Sequence, residues 1–465
     1  MKKQFILFFL CLSGLFVFNR EIEAKNVPSI SAESAIVMDV QSGAILYQKN
    51  MDKRQYPASI TKVMTAMLAI ENSSLSETVT YSRNAVTNLE SGASNIEIKP
   101  GEKLSMEDSL YGILLMSANE ACNGVAEHVG GTIENYVNMM NERAKELGCT
   151  NTHFANTNGL WMKDHYTTAH DMALISRQAY KNPTFAKITG TKRYNTKKTN
   201  KTGVRPLHNH HGMLYASNFP QYLYEYCVGG KTGYTSKCRY TLVTYAKKNN
   251  MTLVSVIMRA PNSPWTEPNE YTDTTKILNY CFENYKRYSI DKNANKQLMN
   301  SSLFTKFSPF YNLDASTLAI DENAGVMLPK GITLQQTQNK IELYDTPKEI
   351  SKNKKNIGKI TYTYNGKEVG GSEIYFNTKT IPTLNDSIDM SEWFTDAVEK
   401  AKAEPFPWKK AIIIAIIILV ACAVIVIFIW WFYNQRDRRE RKNHYKRTRR
   451  KVRNSERGLY YRKRR

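Results

Sequence analysis

Cysteine is scarce in this chain of 465 residues, which has seven, and acidic side chains are outnumbered, 42 Asp and Glu against 64 Lys and Arg. Cys11 and Cys422 lie in apolar runs near the two ends, leaving Cys122, Cys149, Cys227, Cys238 and Cys281. An odd set without ligand spacing gives neither a disulfide framework nor a metal site. Cys227 and Cys238 flank one strand-like run, where a bridge or two buried thiols fit; free thiols are the favoured reading. His208 and Asn209-His-His211 cluster with no carboxylate near them in sequence, so they read as a polar loop. No metal and no cofactor is expected.

The shortage of acid gives a net charge of +22, which suggests nucleic-acid binding until its distribution is examined. Residues 434–465 hold 16 Lys and Arg against 3 acidic residues, a net of +13, and residues 1–24 carry +1. The remaining chain therefore carries only +8. The tail suits the anionic inner leaflet of a membrane, and no nucleic acid is expected as a partner.

Long apolar runs are missing except at the two ends. Lys2-Lys3 followed by residues 5–18 reads as a signal peptide over 1–24, with cleavage after Ala24. Residues 411–433 contain no charge. As a helix they reach about 34 Å, enough for a hydrocarbon core of ~30 Å. Trp430, Trp431 and Tyr433 form an aromatic belt at one end, and the basic tail beyond it reads as cytoplasmic. The expectation is a single-pass membrane protein whose main body is extracellular.

That body contains three short motifs in order: Ser59-Ile-Thr-Lys62, Ser117-Ala-Asn119 and Lys231-Thr232-Gly233. Each pattern also recurs elsewhere. Ser-x-x-Lys appears at Ser289 and Ser351, Ser-x-Asn at Ser82 and Ser351, and Lys-Thr-Gly at Lys201. Context separates the copies. Ser59 follows Pro57 and opens a run to Ile70 that is apolar nearly all round, a buried helix with Ser59 and Lys62 on one face. Ser117 lies in a tight turn between two helical patterns, the first started by a capping box at Ser105-Met-Glu-Asp108. Lys231 follows Gly229-Gly230 and precedes the β-rich runs 240–246 and 251–258, an antiparallel meander. Ser82 reads as a helix cap and Lys201-Thr-Gly203 as a polar surface loop. Capping alone is also the competing reading for Ser59 and Ser117.

The ordered set resembles the penicillin-binding proteins and class A β-lactamases. Residues 27–285 look most like the serine D-Ala-D-Ala carboxypeptidases, the low-molecular-mass penicillin-binding proteins of peptidase family S11. Further stretches carry the likeness: residues 35–43, 57–59, 127–131, Asn156-Thr-Asn-Gly-Leu160 and Thr168-Ala-His-Asp-Met-Ala173. The resemblance implies an α+β, β-lactamase/transpeptidase-like catalytic domain, an antiparallel sheet with helices. It also implies removal of the terminal D-alanine of peptidoglycan pentapeptides, with β-lactams as acylating ligands. Ser59 is then the nucleophile and Lys62 its base, which must be neutral; burial and the charge of Lys231 both push it that way. By the same resemblance Ser117 shuttles the proton, Asn119 holds the substrate amide, and Lys231 and Thr232 bind the terminal carboxylate. The backbone N–H groups of Ser59 and Tyr234, just after Gly233, form the oxyanion hole. Arg239, where the family often has glycine nearby, either adds charge near that carboxylate or is merely solvated.

A class A β-lactamase is the alternative enzyme, and its catalytic Glu-x-x-Leu-Asn has only Glu134-Asn-Tyr-Val-Asn138 as a candidate, within a helical pattern. An inactive wall-binding membrane protein is the non-enzymatic alternative. Beyond the catalytic domain, residues 290–380 read as a small β-sandwich containing a hairpin at Asn365-Gly366. Residues 387–407 read as a helical stalk leading to the membrane.

Overall fold

The computed structural model describes residues 27–87, 89, 92–215, 220–261, 268–290, 318–321, 324–351 and 354–377. The signal segment 1–24, the stalk 387–407, the span 411–433 and the tail 434–465 lie outside them. Among the described residues no helix is long and apolar enough to cross a membrane.

The chain opens with strands β1 (Ser34–Asp39) and β2 (Ile45–Lys49). A 3-10 turn, Ala58–Thr61, leads into helix α1 (Lys62–Asn72). Strand β3 (Thr78–Thr80), helix α2 (Arg83–Thr87) and strand β4 (Lys103–Ser105) follow. Next come helices α3 (Met106–Leu115), α4 (Asn119–Gly130), α5 (Ile133–Glu146), α6 (Ala169–Lys181) and α7 (Pro183–Thr189). Short strands β5 (Arg193–Asn195) and β6 (Pro206–His208) precede the meander β7 (Cys227–Thr235), β8 (Arg239–Lys248) and β9 (Met251–Ala260). Helix α8 (Asn269–Asn284) completes the catalytic unit.

The central sheet is antiparallel, in the order β2-β1-β9-β8-β7, so the first strands pair with the last. Strand alternation sends Ile36, Met38, Val254 and Val256 into a core shared with α1 and α3 to α7. Ala35, Val37, Leu253 and Ile257 face a second core closed by α8. A sheet covered on both faces reads as continuous apolar runs, which is the pattern of β8 and β9.

Ser105 caps α3 through a bond from the Asp108 N–H to its Oγ, while the Asp108 carboxylate accepts from the Ser105 hydroxyl. Two motif copies settle into structural duties. The Ser82 hydroxyl accepts from Ala85 N–H at the start of α2, and Lys201-Thr-Gly203 is an irregular loop with Lys201 exposed.

Beyond α8, β10 (Tyr285–Ser289), β11 (Leu318–Ile320), β12 (Gly325–Pro329), β13 (Gln338–Ser351), β14 (Lys354–Tyr364) and β15 (Lys367–Asn377) form one antiparallel sheet. Over the described part of 290–380 the expected β-rich region is thus one six-stranded sheet. β15 pairs along one edge with β14, and along the other with β12 through Gly370 and Gly371 and with β11 from Ile374. It thereby joins strands that would otherwise lie in separate sheets. The sheet also starts at Tyr285, directly after α8. The Asn365-Gly366 hairpin forms as expected, both residues at positive φ (50° and 72°), as a type I′ turn demands.

Candidate active site

Pro57 precedes Ala58, which takes φ +53°, and the 3-10 turn then aims Ser59 and Lys62 the same way. Lys62 is fully buried, with Nζ 3.0 Å from Ser59 Oγ. It also donates to Asn119 Oδ1 (2.7 Å) and to the backbone oxygen of Asn158 (2.6 Å). Burial lowers its pKa from 10.5 to about 8, opposed by the charges of Cys122 and Glu120. The expected lever, the charge of Lys231, is not what lowers it. Burial leads at both lysines, and the repulsion between the two amines is felt at Lys231, held well below its ordinary value.

Ser117 and Asn119 occupy the turn between α3 and α4. Ser117 sits at φ +61°, and its buried hydroxyl has no partner. A strained residue with an orphaned hydroxyl stabilises nothing locally, which points to use by a ligand. Asn119 donates its N–H to Ser94 O at 2.9 Å, fixing the start of α4.

The third motif lies on β7, the edge strand of the sheet. Lys231 is 2% exposed and its Nζ donates to Thr232 O at 2.8 Å. Gly233 lets this strand pass close to Ser59: a Cβ there would stand 2.9 Å from Ser59 N and 2.4 Å from Thr241 Oγ1. Tyr234, the next residue, is 46% exposed at the cleft rim, its ring 4.6 Å from that of Tyr240. Arg239 is exposed at the β7–β8 hairpin, opposite Thr235. The three motifs therefore converge from turn, interhelical corner and strand, as their sequence settings require.

Other expectations need correction. The Cys227–Cys238 alternative fails because β7 runs between them, holding them roughly 25 Å apart at ~3.3 Å per residue; both are free and buried. Residues 209–211 form the expected polar loop, but Asn209 and His211 are buried in it. His211 is buried against the side-chain-free Gly230, its Nε2 3.1 Å from Val243 O and from Thr244 Oγ1, and burial pulls its pKa down to about 4. Glu134 and Asn138 lie exposed on the surface of α5, a helix and not a catalytic loop, so the segment the β-lactamase alternative needs is not formed there.

Sequence reasoning gave no role to Asn158, whose contribution is a backbone carbonyl. The signal was Asn156, whose Oδ1 accepts from Gly159 N–H (2.7 Å) and Asn158 N–H (3.3 Å) and folds the loop back on itself. Gly159, at φ +88°, lets that loop pack onto the turn that holds Ser59; a Cβ there would lie 1.9 Å from Ala58 O. Glu120 was missed as well. Its buried carboxylate accepts from Ile96 N–H at 2.6 Å and pins the preceding loop beside Asn119.

A serine bonded to a buried lysine, at a helix start beside an antiparallel sheet enclosed by helices, is the arrangement of a serine acyl-enzyme hydrolase. The family model for D-alanyl-D-alanine carboxypeptidase, peptidase S11, matches residues 21–262. The chain belongs to that family, and its activity is that of a serine-type D-Ala-D-Ala carboxypeptidase. It is similar to the carboxypeptidase DacF of Bacillus subtilis, 30% identical over 349 residues, 74% of this chain and 84% of that one. Penicillin-binding protein 5 of Haemophilus influenzae superposes with a TM-score of 0.56 at 26% identity, over 76% of this chain and 98% of that one. A D-alanyl-D-alanine carboxypeptidase of Mycobacterium tuberculosis H37Rv superposes at 0.51 with 30% identity, over 56% of this chain and 95% of that one.

Proposed function

We propose that Ser59 attacks the carbonyl between the two terminal D-alanines of peptidoglycan stem peptides. The acyl-enzyme forms with release of D-alanine, and water then hydrolyses it. One observation carries this reading: Lys62 Nζ has two carbonyl acceptors and one hydroxyl around it. A neutral amine has two N–H groups and one lone pair. Asn119 and Asn158 take the two N–H groups, so the lone pair faces Ser59 Oγ and accepts its proton. A pKa of about 8 leaves an appreciable neutral fraction near neutrality.

The proton travels from Lys62 through the unpartnered Ser117 hydroxyl to the departing amine. Asn119 orients the substrate amide. Lys231 and Thr232 receive the terminal carboxylate, and an anion there restores the charge that burial takes from Lys231. The N–H groups of Ser59 and Tyr234 face the developing oxyanion. β-Lactams acylate the same serine.

The sequence supports secretion through residues 1–24 and anchoring by a helix at 411–433, with tail 434–465 at the anionic inner leaflet. The catalytic unit then works outside the membrane, with the β-rich region from Tyr285 as a spacer. The test is labelled penicillin and a wall pentapeptide. The wild type is expected to form one stable adduct per chain and to release D-alanine, and Ser59→Ala to do neither. An adduct on Ser59→Ala rejects the assignment.

A further inference from the structure

His165 and Thr61 lie behind the catalytic lysine, buried to 1% and 0% exposure, and the steps above do not use them. His165 Nδ1 accepts two backbone N–H groups, from Ala155 at 3.0 Å and Asn156 at 3.3 Å. That nitrogen therefore carries no proton, and the ring's hydrogen sits on Nε2, 2.8 Å from Thr61 Oγ1. The Thr61 hydroxyl accepts it and donates in turn to Ala58 O at 2.9 Å. Every donor in this chain finds one acceptor.

The two ends of the chain matter more than its interior. One end is the loop whose Asn158 carbonyl accepts from Lys62; the other is the turn whose next residue is the nucleophile. A Cβ on Gly159 would stand 1.9 Å from Ala58 O and 2.9 Å from Thr61 Oγ1, so only a glycine lets the same two segments pack this closely where the chain ties them. We infer that Thr61 and His165 are positioning residues for acyl transfer, a buried strut holding the Asn158 carbonyl and the Ser59 hydroxyl at a fixed spacing around Lys62. The groups facing His165 are Phe154, stacked edge-on at 5.7 Å, and the charges of His153, Asp164 and Lys62. Burial holds the ring neutral throughout the neutral range, so the strut is permanent and not a pH switch.

This inference rests on Ser59 and Lys62 acting as proposed. A wild-type chain that forms no Ser59 adduct sinks that reading, and the strut is tested only in chains that label. The experiment measures the acylation rate at saturating labelled penicillin across pH, together with adducts per chain. Thr61→Val keeps the volume and removes the hydroxyl; Thr61→Ser keeps the hydroxyl. Thr61→Val is expected to acylate about 10- to 100-fold more slowly, the cost of a small misplacement of reacting groups. Its pH midpoint should rise from the Lys62 value of about 8 as water reaches Nζ, with one adduct per chain retained. Thr61→Ser should stay close to wild type. His165→Gln keeps a donor toward Thr61 but loses the acceptor for the two loop amides. It is expected to show the same slowing and shift, and serves if Thr61→Val does not fold. A wild-type rate and midpoint in the folded variant overturns the strut. So does a loss confined to adducts per chain, or a Thr61→Ser chain as slow as Thr61→Val.

Discussion

The two large sheets among the described residues treat charge in opposite ways. In the catalytic unit helices cover both faces, and β9 is buried along nearly its whole length. In the C-terminal sheet β13 is half-buried at best, from Gln338 to Ser351. Lys62, Lys231, Glu120 and Glu270 are all buried in the first unit. In the second, Glu342 bridges Lys340 at 2.6 Å and Lys359 at 3.1 Å at the surface. Both regions are rich in lysine and glutamate; what differs is whether water reaches them. Enclosure lowers the pKa of an ordinary amine, whereas the solvated lysine pairs hold the Glu342 carboxyl below its ordinary value and add little stability.

Three charge-removing substitutions can break this comparison. Lys62→Met should slow penicillin acylation by about 10³-fold, the scale of losing a positioned base, as measured by stopped-flow labelling. A loss under tenfold would mean that enclosure of this amine serves packing alone. Glu270→Gln comes next. Burial first, then the charge of Asp273, raises this carboxyl from 4.5 to about 7. The folded chain therefore holds a proton that the unfolded chain releases near pH 4.5. This stabilisation is complete below pH 4.5 and lost as pH rises through about 7. The stability of Glu270→Gln relative to wild type should climb between those values by up to roughly 3 kcal/mol. Thermal midpoints at pH 4.5 and 8 measure it; a difference independent of pH counts against enclosure as the cause. Glu342→Gln should leave the thermal midpoint unchanged at both values. An effect as large as that of Glu270→Gln would erase the contrast between the sheets.

Local chemistry was readable from the sequence. The spacing in Ser59-Ile-Thr-Lys62, the cap at Ser105, the glycines before Lys231 and the Asn365-Gly366 turn are each set by residues close in sequence. What was hidden depends on distant partners or on atoms every residue shares. The Asn158 carbonyl belongs to the backbone, so no side-chain type announced it. His211 looked polar in its loop because the space it fills is left by Gly230 on another strand. Tyr285-Lys-Arg-Tyr-Ser289 has no apolar alternation, and it forms a strand only because Gly325–Pro329 lies alongside. The single sheet was missed for the same reason: β15 meets three different strands, and no local pattern encodes that.

The pairing of β1 with β9, Ser34 facing Met258, carries a consequence for biogenesis. A chain emerging from its amino end exposes β1 long before its neighbour exists, and such distant pairings fold late. Ser59 is made early, yet Lys231 arrives more than a hundred residues behind it, and the strands flanking them close last. A nascent chain cut short before Met251 holds Ser59 without the sheet that arms it. The cleft beside Ser59 is thus complete only when the catalytic unit is essentially whole.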